Sequence, residues 1–186
     1  MSSALILCVS ESRKIQNIAL IGFMGTGKSS VGRLVAESLR FTFVDTDELI
    51  EARAKKTIPE IFSQDGELAF REHERLILEE LETLKKTVIA TGGGVGANEN
   101  NLARLKRHAL VICLWASPQA IWIRVKTQTH RPLLQAPDPQ SKIRELLAQR
   151  EPFYRQADIL VNTEVRSTKE VALHVCHEFH LAVRRR

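Results

Sequence analysis

Nine residues, Gly22–Ser30, read GFMGTGKSS: a glycine, four residues, a second glycine, then lysine and a hydroxyl. That order matches the phosphate-binding pattern GxxxxGK[ST], in which the glycines let backbone N–H groups curl round phosphate oxygens. In such a loop a lysine at position 28 can reach the β- and γ-phosphates, and the Ser29 hydroxyl can ligate Mg²⁺. The mechanism needs a strand before the loop and a helix after it. NIALIG (17–22) is an apolar run stopping at glycine, and from Lys28 the residues Val31, Leu34, Val35 and Leu39 recur on one helical side.

Two carboxylates follow in VDTD, at Asp45 and Asp47. One can help hold Mg²⁺ through water while the other accepts a proton from an attacking hydroxyl. The competing reading makes Asp47 an ordinary helix N-cap before ELIEA. FREHE places Arg71 and Glu74 three residues apart on a helix, either as an exposed ion pair or as a carboxylate-binding fork steered by the glutamate. The triple glycine Gly92, Gly93 and Gly94 lets a backbone approach a ligand closely. Arg124, Arg131 and Arg150 are surface arginines if taken singly, and Arg131 sits in HRPLL, a segment able to close over a nucleotide. His174, His177 and His180 drift round a helix and do not converge on a metal, so they read as a solvated face.

The elements that must position these groups alternate. Strands are expected at 17–22, 41–45, 87–94, 109–115 and 158–162. Helices are expected from Lys28, at 47–55, 58–64 and 67–86, from Pro118, and at 140–155 and 167–182. In the segment 67–86, Leu68, Ile77, Leu78, Leu81 and Leu84 supply the apolar positions. Such alternation gives an α/β fold, a parallel sheet covered on both faces, with ligands at the carboxyl ends of the strands. The glycine loop, the acidic pair and the triple glycine all fall there. Residues 128–139, with three prolines, read as a loop.

Composition agrees. The 186 residues are 44% hydrophobic and 26% charged, the range of a single globular domain rather than a disordered chain. A net charge of +5 favours anionic ligands. Cys8, Cys113 and Cys176 are scattered without a CxxC pair, which suggests neither a disulfide framework nor a zinc knuckle and fits a cytoplasmic location. ALILCV near the start is too short to span a membrane.

Taken in order, GFMGTGKSSVGR, VDTDELIE, IFSQDGELAFREHE, IATGGG, RPLL and REPFY followed by AD resemble the shikimate kinase family over residues 17 to 166. The resemblance implies ATP-dependent phosphorylation of the shikimate 3-hydroxyl, a step toward chorismate and the aromatic amino acids, with Mg²⁺. It implies a three-layer α/β/α P-loop kinase fold whose five-stranded parallel sheet runs 2-3-1-4-5. The domain would occupy 16–183, with a helical substrate-binding insertion over 45–74 and a lid over 126–140. An extension (1–15) and a basic tail (184–186) would flank it.

By position, Gly25, Thr26, Gly27, Lys28, Ser29 and Ser30 would bind phosphates, and Ser29 and Asp45 would hold Mg²⁺. Asp47 would bind substrate hydroxyls and act as base. Arg71 and Arg150 would clamp the carboxylate, with Glu74 orienting Arg71 and Phe62 and Phe70 walling the pocket. Gly92, Gly93 and Gly94 would meet substrate, Arg131 would descend with the lid, and Arg124 and Arg166 would border adenine. GKSS replaces the commoner GKST but keeps the hydroxyl, and YRQADILVNT is one residue shorter than usual before the strand.

Partners would be ATP and shikimate alone, without nucleic acid or membrane, bound by a monomer. Alternatives are a gluconate or nucleoside-monophosphate kinase, or a non-catalytic nucleotide binder. No [NT]KxD guanine motif is present to support a GTPase.

Overall fold

A computed structural model of the chain describes residues 13–127 and 137–184. Five parallel strands form one sheet in the order β2-β3-β1-β4-β5: β1 is Asn17–Ile21, β2 Thr42–Asp45, β3 Thr87–Ala90, β4 Ala109–Trp115 and β5 Ile159–Asn162. The sheet topology is thus the expected 2-3-1-4-5.

Central β1 is buried at every residue, and its alternate side chains go to opposite layers. Ala19 and Ile21 join a core with Ile77, Leu78, Leu102 and Ile121. Ile18 and Leu20 join a second core with Val31, Val35, Val175 and Phe179. The first layer is built by α2 (Thr46–Ala54), α3 (Ile58–Gln64), α4 (Gly66–Leu81), α5 (Glu99–His108), α6 (Pro118–Val125) and α7 (Pro139–Tyr154). The second is built by α1 (Lys28–Leu39) and α8 (Thr168–Arg184).

Several elements depart from the sequence expectation. The helix expected over 67–86 ends at Leu81; Lys86 takes a left-handed φ of 53° and donates its N–H to Gln16 O, which turns the chain into β3. Leu68 is 88% exposed and Leu84 lies past the helix, so neither belongs to the α4 apolar face. Helix α5 was not anticipated. Its signals are modest: an Asn98 cap accepting from the Asn101 N–H, Leu102 and Leu105 one turn apart, and a basic last turn.

The polar end of the sheet opposite the glycine loops is tied by one buried side chain. Asn17 donates through Nδ2 to Leu84 O at 2.7 Å, accepts from Thr87 N–H at 3.0 Å, and sits 3.0 Å from His108 Nδ1. Nearby, Arg13 forms a largely buried ion pair with Asp158 (2.5 Å) and also donates to Ala109 O. Ile15 is 6% exposed, so residues 13–15 pack onto the domain. No helix among the described residues is long and apolar enough to cross a membrane.

Candidate active site

The loop between β1 and α1 turns through Gly25 and Gly27, whose φ values of 74° and 90° a residue with a Cβ adopts only under strain. Thr26 Oγ1 donates to Phe23 O at 2.8 Å and braces the loop from within. Lys28 Nζ curls back to Gly22 O at 2.9 Å and Phe23 O at 3.0 Å, which holds the ammonium over the loop mouth at the helix N-terminus. Behind it, burial pushes the Cys113 thiol up to about 12, against the pull of Lys28, so that thiol stays protonated and unreactive.

Ser29 Oγ donates to Asp45 Oδ2 at 2.6 Å, joining the start of α1 to the end of β2. The other Asp45 oxygen accepts the Asp47 N–H at 3.1 Å. The α2 cap is therefore Asp45, not Asp47. Asp47 sits in the first turn of α2, where the helix dipole favours its negative charge.

The segment after β3 wraps round these groups. Gly92 N–H donates to Thr46 Oγ1 at 2.9 Å. A Cβ on Gly92 would lie 2.3 Å from Asp47 Oδ1, and one on Gly94 would lie 2.6 Å from Arg71 Nη1. The triple glycine is the surface against which the acid and the arginine rest.

Arg71 spends both sides of its guanidinium on acids. Nη1 donates to Glu74 Oε2 at 2.8 Å, while Nε and Nη2 reach Glu67 Oε1 at 3.3 and 2.9 Å. Burial works against the Arg71 charge, but the two carboxylates outweigh it and raise its pKa. Glu74 is 1% exposed; burial pushes its carboxyl above the usual range despite Arg71. The Phe62 and Phe70 rings pack 4.7 Å apart next to this pair.

From the far side, α7 delivers Arg150, whose Nη1 donates to Gly93 O at 3.0 Å and whose guanidinium lies 5.3 Å from the Phe23 ring centre. Tyr154, one turn later, donates its hydroxyl to the same carbonyl at 2.8 Å. Burial pushes that phenol up to about 12, keeping it a donor at all physiological pH.

A separate cavity of about 200 Å³ opens beside the loop, lined by Gly25, Thr26, Gly27, Arg124, Thr163 and Arg166, among others. Arg124 is fixed there by bonds to Thr163 Oγ1 (2.9 Å), Thr163 O (2.7 Å) and Gly25 O (3.2 Å).

The predicted residues thus fall into three touching groups. Gly25, Gly27 and Lys28 shape the loop at the start of α1, where Ser29 meets Asp45; Asp47 and Arg71 meet the triple glycine, on which Arg150 also closes; Arg124 and Arg166 line the cavity with Thr26 and Ser30. Arg131 and most of the expected lid lie outside the described residues. Tyr154, Glu67, Thr46 and Thr163 were not anticipated. The tyrosine stood in the quoted REPFY, but nothing in its spacing said which carbonyl it would meet.

Comparison with known proteins agrees over nearly the whole chain. Residues 24–180 match the family model described as Shikimate kinase. A shikimate kinase of Thermodesulfovibrio yellowstonii is 47% identical over 165 residues, 89% of this chain and 95% of that protein. One from Caldanaerobacter subterraneus is 44% identical over 165 residues, covering 89% and 96%. Among solved structures, the shikimate kinase of Acinetobacter baumannii in complex with shikimate superposes with a TM-score of 0.86 at 35% identity, covering 94% of this chain and 98% of the other.

Proposed function

This chain belongs to the shikimate kinase family, and from that premise we propose how its residues divide the work of the reaction. The protein is an enzyme that transfers a phosphoryl group from ATP to shikimate, giving shikimate 3-phosphate and ADP.

The observation that carries the site reading is the convergence of Asp47, Arg71 and Arg150 on one glycine segment beside the phosphate loop. A cationic fork suits a planar carboxylate, and a carboxylate suits a hydroxyl donor, which is the polarity of a hydroxy acid. In this reading Asp47 accepts the proton of the attacking hydroxyl, while Arg71 and Arg150 hold the acid end and set its orientation. Gly92 and Gly94 are small because protein atoms press on them. A Cβ on Gly93 would meet only ordinary contacts, Met24 N at 3.6 Å and Arg150 Nη1 at 3.7 Å, so the close approach of protein atoms that requires glycine falls on its two neighbours. Lys28 and the loop N–H groups hold the phosphates, and Arg124 and Arg166 border the base. Phosphoryl transfer asks mainly for such positioning and charge neutralisation.

Mg²⁺ fits the oxygen pair formed by the Ser29 hydroxyl and the Asp45 carboxylate, which already lie 2.6 Å apart. No group of three or more His, Cys, Asp or Glu suited to a metal occurs among the described residues. Two protein oxygens, with waters and ATP oxygens completing the shell, is the sparse ligation that Mg²⁺ accepts. When bound, the ion would neutralise charge on the transferring phosphoryl group. In this reading the protein works as a monomer. Dependence on ATP and the unpaired thiols of Cys113 and Cys176 favour a cytoplasmic location.

The test is ADP release by purified protein with Mg²⁺-ATP and shikimate, against gluconate, a nucleoside monophosphate and no acceptor. Shikimate-dependent release that vanishes in Asp47→Asn supports the reading. Release with another acceptor overturns the substrate assignment, and unchanged turnover in Asp47→Asn overturns the base.

A further inference from the structure

Gly93 O is the meeting point of two donors from α7. Arg150 Nη1 reaches it at 3.0 Å and the Tyr154 hydroxyl at 2.8 Å. The two residues are four apart, so one helical face presents both. Tyr154 is 1% exposed and packs in the core with Phe23, Cys113 and Leu147. Pro152 lies between the two donors inside the helix and cannot supply an N–H to the preceding turn. This end of α7 is therefore held less by its own ladder and more by what its side chains grip.

From this geometry we infer that Tyr154 is a positioning residue for the acceptor substrate, acting through the Gly93 carbonyl and Arg150. The inference rests on the reading of Arg150 as a carboxylate clamp. The carbonyl has two lone pairs, and the buried phenol takes one in a fixed direction, leaving the other to locate the Arg150 guanidinium. No cis bond occurs among the described residues, so the Gly94 N–H points opposite to the Gly93 C=O. Fixing the carbonyl thus fixes the direction of an amide donor in the segment where substrate is expected. A phenol is suited to this because it is rigid, neutral and already desolvated, so its bond does not loosen with pH in the working range.

The chain contains a single tyrosine, which makes the test direct. Protein grown with 3-fluorotyrosine carries one fluorine-bearing ring, and its ¹⁹F resonance reports Tyr154 alone. Saturating shikimate without nucleotide should move that resonance, and ADP alone should leave it in place. A resonance that shikimate does not move overturns the inference.

Tyr154→Phe keeps the ring and removes the bond. It should raise the KM for shikimate about tenfold, the value of one hydrogen bond, with the KM for ATP changed less than about twofold. In an Arg150→Ala background the same substitution should add less than about twofold, because the group it positions is gone. Equal rises in both KM values, or full additivity with Arg150→Ala, would reduce Tyr154 to a packing residue and overturn the inference. If Arg150→Ala itself leaves the shikimate KM unchanged, the clamp reading falls and the inference with it. If Arg150→Ala impairs and Tyr154→Phe does not, the inference alone falls. The fluorine measurement needs no change beyond one atom, so it decides even where Tyr154→Phe folds poorly.

Discussion

Ser29 Oγ and Asp45 Oδ2 lie 2.6 Å apart, although sixteen positions separate them in sequence. The bond links the first turn of α1 to the end of β2, and through Asp45 Oδ1 it continues to the Asp47 N–H. One carboxylate therefore caps a helix and faces the hydroxyl proposed to hold Mg²⁺. The two roles separate by mutation. Asp45→Asn keeps a capping side chain and loses the charge; Asp45→Ala loses both. Asp45→Asn should raise the Mg²⁺ concentration for half-maximal activity with little change in Tm. Asp45→Ala should add a stability loss of about 1 kcal/mol, roughly 2–4 °C in Tm for a chain of this size. Ser29→Ala should raise the Mg²⁺ requirement without the thermal effect. Equal Mg²⁺ curves for all three variants would remove both residues from the metal site.

Asp47 and Gly92 make the next pair. An added methyl at Gly92 would sit 2.3 Å from Asp47 Oδ1, so the carboxylate must move. Gly92→Ala should then lower kcat about 100-fold by misplacing the proposed base, while ADP binding survives. Asp47→Asn should lose about 100-fold or more, with ADP binding again intact. Titration calorimetry of ADP beside the turnover assay separates these outcomes. Loss of ADP affinity in either variant would mean that the phosphate loop, not the base, had been disturbed.

The ion pair of Arg71 and Glu74 couples binding to stability. Arg71→Ala should raise the KM for shikimate about 10–100-fold, as for one charge-assisted contact, and leave the KM for ATP nearly unchanged. Comparable loss for both ligands would count against the clamp. It also strips Glu74 of its partner and so should lower Tm. Glu74 carries its own pH signature. Burial holds its folded pKa above the unfolded value, so the folded chain binds the extra proton in acid. Its contribution to stability is greatest below the ordinary carboxylate pKa and declines as pH rises through the raised one. Urea unfolding from pH 4 to 7 should show the advantage of wild type over Glu74→Gln shrinking as pH rises. A constant difference would place the Glu74 pKa at its ordinary value.

Sequence reasoning found what local pattern encodes and missed what depends on distant atoms. The glycine loop, the alternating strands and the 2-3-1-4-5 order were legible because each rests on short-range chemistry or on six motifs in register. Helix α5 was overlooked because ENNLARLKRH contains only three apolar residues, so its polar surface outweighed the one-turn spacing of Leu102 and Leu105. The apolar pattern continues to Leu84, past the real end of α4 at Leu81; there the chain tightens into i+3 turns, Thr83 N–H to Glu80 O and Leu84 N–H to Leu81 O, before the Lys86 N–H goes to Gln16 O, far away in sequence. Aspartate suits a helix cap, which makes Asp47 a natural candidate from sequence, but the residue two places earlier fills the role. The Tyr154 bond to Gly93 O and the pairing of Arg13 with Asp158 are long-range contacts that no spacing announces.

His108 gives a prediction of opposite sign to Glu74, at the other end of the sheet. Its ring closes α5 and lies 3.0 Å from Asn17 Nδ2, with Nδ1 as the acceptor. That arrangement requires neutral imidazole; protonation sets N–H against N–H. Burial lowers its pKa, and the charge of nearby Arg13 lowers it further. The unfolded chain therefore binds more protons than the folded one once pH drops below about 6.5, the ordinary imidazole value. Stability from this group is complete above that pH and erodes as pH falls toward the lowered value. Wild-type Tm should fall between pH 7.5 and 5.5, while His108→Gln, whose amide oxygen can still accept from Asn17, should show a flatter profile from a lower starting point. The Glu74 effect runs the other way over this range, so the double variant with Glu74→Gln isolates the histidine. Parallel profiles for wild type and His108→Gln would mean that the acid sensitivity lies elsewhere and that the knot of Asn17 and His108 is inert to protons.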